Sequence, residues 1–202
     1  MQAETEYGAL RDLIRWIDDH TAGLAFDATE RNLLASGCFD VALEHQAAIA
    51  LLYSSRLYGP AFALLRVLAE SVVRGMWLLH CASEDELASF KHGKMNQTFD
   101  KLTKDVERAV GDTLQVLSGF KQTAWGSLNG FTHTGMHQVS RRHKPGRVEG
   151  NYPDDELAKA LGVAGALGMI AALQLVGMAG NDELASKFLV RMNEYSKPSL
   201  AC

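Results

Sequence analysis

Two stretches of this chain are apolar around almost the whole circumference of a helix. Phe62 to Leu79 is apolar at most positions, and Ala160 to Gly180 contains no charged residue. A helix that is apolar on every side must be enclosed by protein or by lipid. The second stretch is long enough to span a bilayer, which takes about 20 apolar residues. Five glycines and Gln174 keep its hydrophobicity modest. It is therefore expected to be a buried helix of a helical bundle, with no membrane association. Enclosing both stretches, plus the apolar-rich segment Leu33 to Tyr53, is hard in a small bundle. The surplus apolar surface predicts a homodimer.

With 202 residues, 47% apolar and 22% charged, the chain reads as a single all-helical domain over 1–202. A net charge of -4 argues against a general nucleic-acid binder with a strongly basic surface. Cys38, Cys81 and Cys202 form no C-x-x-C pair, so neither a disulfide framework nor a structural zinc site is expected. Residues Met1 to Leu13 lack the basic start and apolar run of a secretory signal. A cytoplasmic protein is the expectation.

Apolar periodicity predicts helices throughout. Glu4 to His20 is amphipathic. Asp27-Ala-Thr-Glu30 reads as a capping box for a second helix reaching about Tyr58. Pro60 suits the first turn of a third, ending near His80. Ser83-Glu-Asp-Glu86 opens a more polar helix through about Ala109. A fifth covers roughly Asp112 to Arg141, with an interruption near Ser118-Gly119, and His143 to Tyr152 is a charged, glycine-rich loop. Pro153 to Glu156 opens the glycine-rich sixth, and Asn181-Asp-Glu183 caps a last helix to about Tyr195. The predicted fold is an all-α, single-domain antiparallel bundle of six to seven helices.

Two polar columns interrupt this apolar background. On the third helix, Arg66, Glu70 and Arg74 stand four residues apart and share one face. On the fifth, Lys121, Trp125, Asn129, His133, His137 and Arg141 have the same spacing. Gly126, Gly130 and Gly135 thin the surface around them. Glycine in a helix costs about 0.8–1 kcal/mol relative to alanine, so these need a reason. Close approach of another backbone, such as the Gly162, Gly165, Gly168 run, is one, and room for a ligand is another. The two columns are expected to meet, bringing Arg66 or Glu70 within hydrogen-bond reach of Asn129, His133 or His137. Two histidines four apart can also hold a metal ion, with Glu70, or less readily His143, completing the set. The run Arg141-Arg-His-Lys-Pro-Gly-Arg147 concentrates four fixed cations in an acidic chain, where a solvated loop or phosphate contact is expected.

Leu64-Leu-Arg-Val-Leu-Ala-Glu70 followed by Leu128-Asn-Gly-Phe-Thr-His-Thr-Gly135 resembles a group of bacterial all-helical proteins of unknown function. Their pattern is R-x-x-x-E on an apolar helix, then a polar-aromatic-x-H-[ST]-G segment. The chain is also distantly similar to HEPN-type helical domains, some of which cleave RNA or bind nucleotides. Two literal matches to the HEPN pattern R-x(4–6)-H occur, Arg15 to His20 and Arg74 to His80. On a continuous helix each pair points to faces about 120–140° apart. The expected function is therefore recognition of an anion, nucleotide or RNA at a site around His133. Arg66 and Arg141 would bind phosphate, His133 would act as acid or base, Glu70 would orient it, and Asn129 and His137 would add contacts. A non-enzymatic dimeric interaction protein, and a metal site at His133, His137 and Glu70, are the alternatives.

Overall fold

A computed structural model describes residues 1–95, 97–111 and 115–195. Cys202 and the expected helix start at Asp112 lie outside them. The elements are α1 (Gln2–Thr21), α2 (Glu30–Ser54), α3 (Tyr58–His80), α4 (Glu84–Lys91), α5 (Phe99–Val110), α6 (Val116–Thr132), α7 (Met136–Val139), α8 (Asp154–Met178) and α9 (Asp182–Tyr195). A 3-10 turn at Ser140–Arg142 leads into a minimal antiparallel hairpin, β1 (His143–Lys144) and β2 (Arg147–Val148). The fold is all-α apart from that hairpin.

The nine α-helices among the described residues exceed the expected six to seven, because two segments break. The polar helix predicted from Ser83 divides into α4 and α5. Gly93, at φ +70, turns the chain after α4, and Thr98 caps α5 by accepting from the Lys101 amide. The long helix predicted to run to Arg141 ends at Thr132. His133 is its C-cap, Thr134 adopts φ +53, and the Gly135 amide returns 2.7 Å to the Gly130 carbonyl. This six-to-one bond is the Schellman closure of a helix end. The charged loop expected after Arg141 contains the β1–β2 hairpin.

Caps fall mostly where the side chains allow them. Ser83 and Glu86 form the full capping box of α4. For α2 the cap is Thr29, two residues beyond the expected Asp27, and it accepts from the Asn32 amide. The start of α6 is held from outside. The Glu107 carboxylate of α5 accepts from both the amide and the hydroxyl of Ser118, each at 2.6 Å.

Helix α3 is the hub, packed against α2, α5, α6 and α8. Leu68, Val72, Trp77 and Leu78 are fully buried on it. At Gly75 the Phe39 ring of α2 comes so near that a methyl group would sit 2.6 Å from its Cε1. Helix α8 is the one described helix long and apolar enough to cross a membrane. In this fold it packs against α1, α2, α3 and α9. Its glycines do not pair with those of α6, as the sequence suggested. Gly165 lies beneath the Tyr195 hydroxyl and Gly168 beneath the Gln46 carboxamide. Burial, with the Glu6 charge beside it, holds the Tyr195 phenol well above its ordinary range.

Gln46 is 1% exposed and donates to the Ala164 carbonyl at 3.2 Å, so it has nowhere to retreat. Gly168→Ala is expected to cost about 1–3 kcal/mol through overpacking. Urea unfolding checks this, and an unchanged midpoint would contradict the α2–α8 packing described.

Candidate functional site

The two polar columns meet where α3 crosses α6. Arg66 and Glu70 lie one turn apart on α3, and Arg66 Nε donates to Glu70 Oε1 at 2.9 Å. Arg66 Nη1 lies 3.0 Å from His133 Nε2. The guanidinium carbon also sits 5.1 Å from the centroid of the Trp125 ring. Phe99 of α5 stacks on that same indole, at 3.9 Å between centroids and 8° between planes. Phe99, Trp125 and Arg66 thus form one stack of rings and cation, bordered by the carboxylate and the imidazole.

This geometry assigns the imidazole proton. Arginine has donors only, so His133 Nε2 must accept and Nδ1 must carry the hydrogen. His133 is exposed at the end of α6, with its Nδ1–H available as a donor. Asn129 lies between Trp125 and His133 on the same face. Its Oδ1 is buried with no hydrogen-bond partner among the described residues. A buried acceptor without a donor costs about 1–3 kcal/mol, so such atoms mark places where a partner is wanted. Lys121, at the other end of the column, pairs with Asp100 of α5. Hydrogen bonds from Lys104 and Lys121 hold the Asp100 carboxyl at about 2, below the usual carboxylate range.

The remaining expected residues go elsewhere. The helix end at His133 takes His137 out of the column and folds it against Gly130, where a methyl group would sit 2.9 Å from its Cδ2. Gly130 thus admits the returning chain rather than another helix. Arg141 pairs with Glu156 of α8, beside His137 but away from Arg66. Arg74, third in its stripe, has a buried Nε with no partner among the described residues. No group of three or more His, Cys, Asp or Glu side chains that could hold a metal ion occurs among the described residues. The ligand set His133, His137 and Glu70 is therefore not assembled, because Arg66 bridges two of its members and the third has turned away.

The R-x(4–6)-H matches are split as well. Arg15 lies 3.7 Å from Asp12, whereas His20 Nδ1 is 2.8 Å from the Trp16 carbonyl. His80 Nε2 is 2.7 Å from Gln174 Oε1, remote from Arg74 in role. In the basic loop, Lys144 and Arg147 both pair with Glu149. Arg142 instead reaches the first turn of α3. There Gly59 leaves room for Arg142, Gln138 and the Tyr152 hydroxyl, each 3.0–3.2 Å from where a methyl group would be. Burial raises the Tyr152 phenol above its ordinary value.

Sequence reasoning missed Phe99, Asp100, Glu107 and Tyr152. The first two lie in the opening turn of an amphipathic helix, where an exposed-looking aromatic beside a carboxylate was their one signal. Glu107 acts on Ser118, across the junction of α5 and α6, and Tyr152 on the distant Gly59, and neither had one.

The model of a family of unknown function (DUF6988) matches residues 39–198, and the chain belongs to that family. No match was found among curated proteins or among solved structures. The matched span contains both Arg66 and His133 and the whole stack between them.

Thr134 is β-branched and sits in the left-handed region at φ +53, where such residues are strained by roughly 1–2 kcal/mol. Thr134→Gly is expected to raise stability by about 1 kcal/mol while leaving the His133 contacts in place. A lower thermal midpoint would show that the threonine side chain has a role this geometry does not explain.

Proposed function

We propose that this member of the family is a binding module for a nucleotide or single-stranded RNA, with the α3–α6 face as its site. The observation that carries the reading is the Arg66 node, one guanidinium fixed at once by Glu70, His133 and Trp125. A guanidinium 5.1 Å from an indole centroid is a platform on which a base can stack, and Arg suits this better than Lys because its charge is planar. The buried Asn129 oxygen and the His133 Nδ1–H supply one acceptor and one donor beside it. Arg142 lies over Gly59, seven residues before Arg66 on α3. Seven residues are two turns, so the two cations share a face about 10 Å apart along the axis. A ligand stacked on Arg66 would carry its phosphate toward Arg142.

The same geometry supports binding over acid–base turnover. With Arg66 donating to Nε2, His133 has no free lone pair to serve as a base. The HEPN likeness is left resting on helical content, and no cleavage step is assigned. We read α8 as an internal helix of a cytoplasmic protein.

Titration with a mononucleotide and with a short single-stranded RNA tests the proposal. Saturable binding that weakens steeply with salt is expected, with affinity falling about tenfold in Arg66→Ala and in Arg142→Ala. Absence of binding at low salt, or binding that survives Arg66→Ala, would overturn it.

A second reading rests on a separate observation. Met136 and Val148 are each 78% exposed, and Val139 is 41% exposed, within one short excursion of the chain. Apolar side chains gathered on a projecting turn favour a homodimer through α7 and the hairpin. Light scattering is expected to give twice the chain mass, reduced to one chain in Met136→Glu/Val148→Glu. A mass near 22.1 kDa for the unaltered protein would rule this out.

A further inference from the structure

A cleft of about 400 Å³ opens between α1 and α2 and reaches Leu175 of α8, and no residue of α3 or α6 lines it. Its apolar surface comes from Ile14 and Leu43 on the two helices and from Leu24 and Phe26 in the segment that joins them. The volume lies within the range of small-ligand pockets, about 300–1,000 Å³. Every ionisable side chain that lines it is a carboxylate: Asp18, Asp40 and Glu44. All three are exposed, and no ion pair or side-chain hydrogen bond engages any of them among the described residues. Asp12, on the same helix as Asp18, is by contrast paired with Arg15.

Gln46 adds a fourth acceptor from the floor of the cleft. It is 1% exposed, its Nε2 is committed to the Ala164 carbonyl at 3.2 Å, and its Oε1 has no donor among the described residues. The carbonyl fixes this orientation, since turning the carboxamide over would set oxygen against oxygen. An acceptor left open on a buried side chain marks a place where a donor is wanted. The cleft thus presents negative charge and acceptors over an apolar floor, with no cation of its own to answer them. A metal ion does not suit it, because no three His, Cys, Asp or Glu side chains are grouped to hold one among the described residues. The charge is spread instead. Asp40 and Glu44 stand one turn apart on α2, about 6 Å along the axis, and Asp18 faces the cleft from α1. Two ammonium groups joined by a four-carbon chain have about that separation. The methylenes between them suit Leu24 and Leu43, and the Phe26 ring favours a nearby ammonium.

We propose that this cleft binds an aliphatic polyamine, with its ammonium groups at Asp18, Asp40 and Glu44, its methylenes on the apolar floor and one N–H at Gln46 Oε1. Nothing in this requires the nucleotide site, which is built on α3 and α6.

The test is calorimetric titration of the full chain, free of nucleic acid, with spermidine. Butylamine is the single-charge arm and magnesium ion the compact dication, all at matched ionic strength. Spermidine is expected to bind at one site per chain, about tenfold more tightly than butylamine or magnesium. Asp40→Asn/Glu44→Gln should remove that preference, with Asp18→Asn weakening it from the other wall should the double variant fail to fold. Ala47→Phe, at an exposed position on the cleft wall, should block binding. Asp19→Asn, exposed beside Asp18 but outside the cleft, should leave the affinity unchanged. Spermidine binding no tighter than magnesium, binding at several sites per chain, or binding undiminished in the folded cleft variants would each overturn the proposal. So would an equal loss in Asp19→Asn, which would mark general attraction to an acidic surface.

Discussion

The structure depends on the enclosure of α3. A helix with so little polar surface cannot face water, and here it is walled by α2, α5, α6 and α8. Enclosure leaves the Arg66 and Glu70 side chains only 21% and 24% exposed, so Arg66 finds its partners at the seam of the fold. Arg66 does so by bonding Glu70 one turn on and by crossing to His133 and Trp125 of α6. The polar node follows from the apolar helix: without burial on three sides, Arg66 would be one more solvated side chain, worth little as an ion pair.

The second consequence is the helix end at His133. Had α6 continued to Arg141, His137 would have extended the column and Arg141 would have joined it. The bond from Gly135 to Gly130 turns the chain back instead. It leaves His133 at the helix terminus with Arg66 and sends His137 and Arg141 toward α8. One turn therefore divides a single sequence column between two faces of α6. The strain at Thr134 is the local cost of that division.

Much of this was legible in the sequence, and the reasons are specific. The i,i+4 spacing of Arg66 and Glu70 announced their pairing, because helical geometry fixes it regardless of tertiary context. The meeting of α3 with the Asn129–His133 segment was legible because two polar stripes on apolar surfaces have few other partners. The break at His133 was not. Three glycines in a helical stretch fit a close helix crossing, a ligand or a turn equally well, and Thr134 is a residue that avoids the conformation it takes. The role of Phe99 was hidden for another reason. It lies in a segment expected to be one long polar helix, and only the turn at Gly93 delivers it to Trp125. The α8 glycines were read as facing α6, whereas the neighbours that settled on them are Gln46 and Tyr195, which no local pattern identifies.

The central claim is that Arg66 fixes the state of His133. It is tested most directly by a long-range proton–nitrogen correlation spectrum of the imidazole side chains at neutral pH. His133 is expected to be held in the Nδ1–H form, with Nε2 as the acceptor, and Arg66→Ala to release it to the mixture shown by exposed histidines. A His133 protonated at Nε2, or one unchanged by Arg66→Ala, would contradict it.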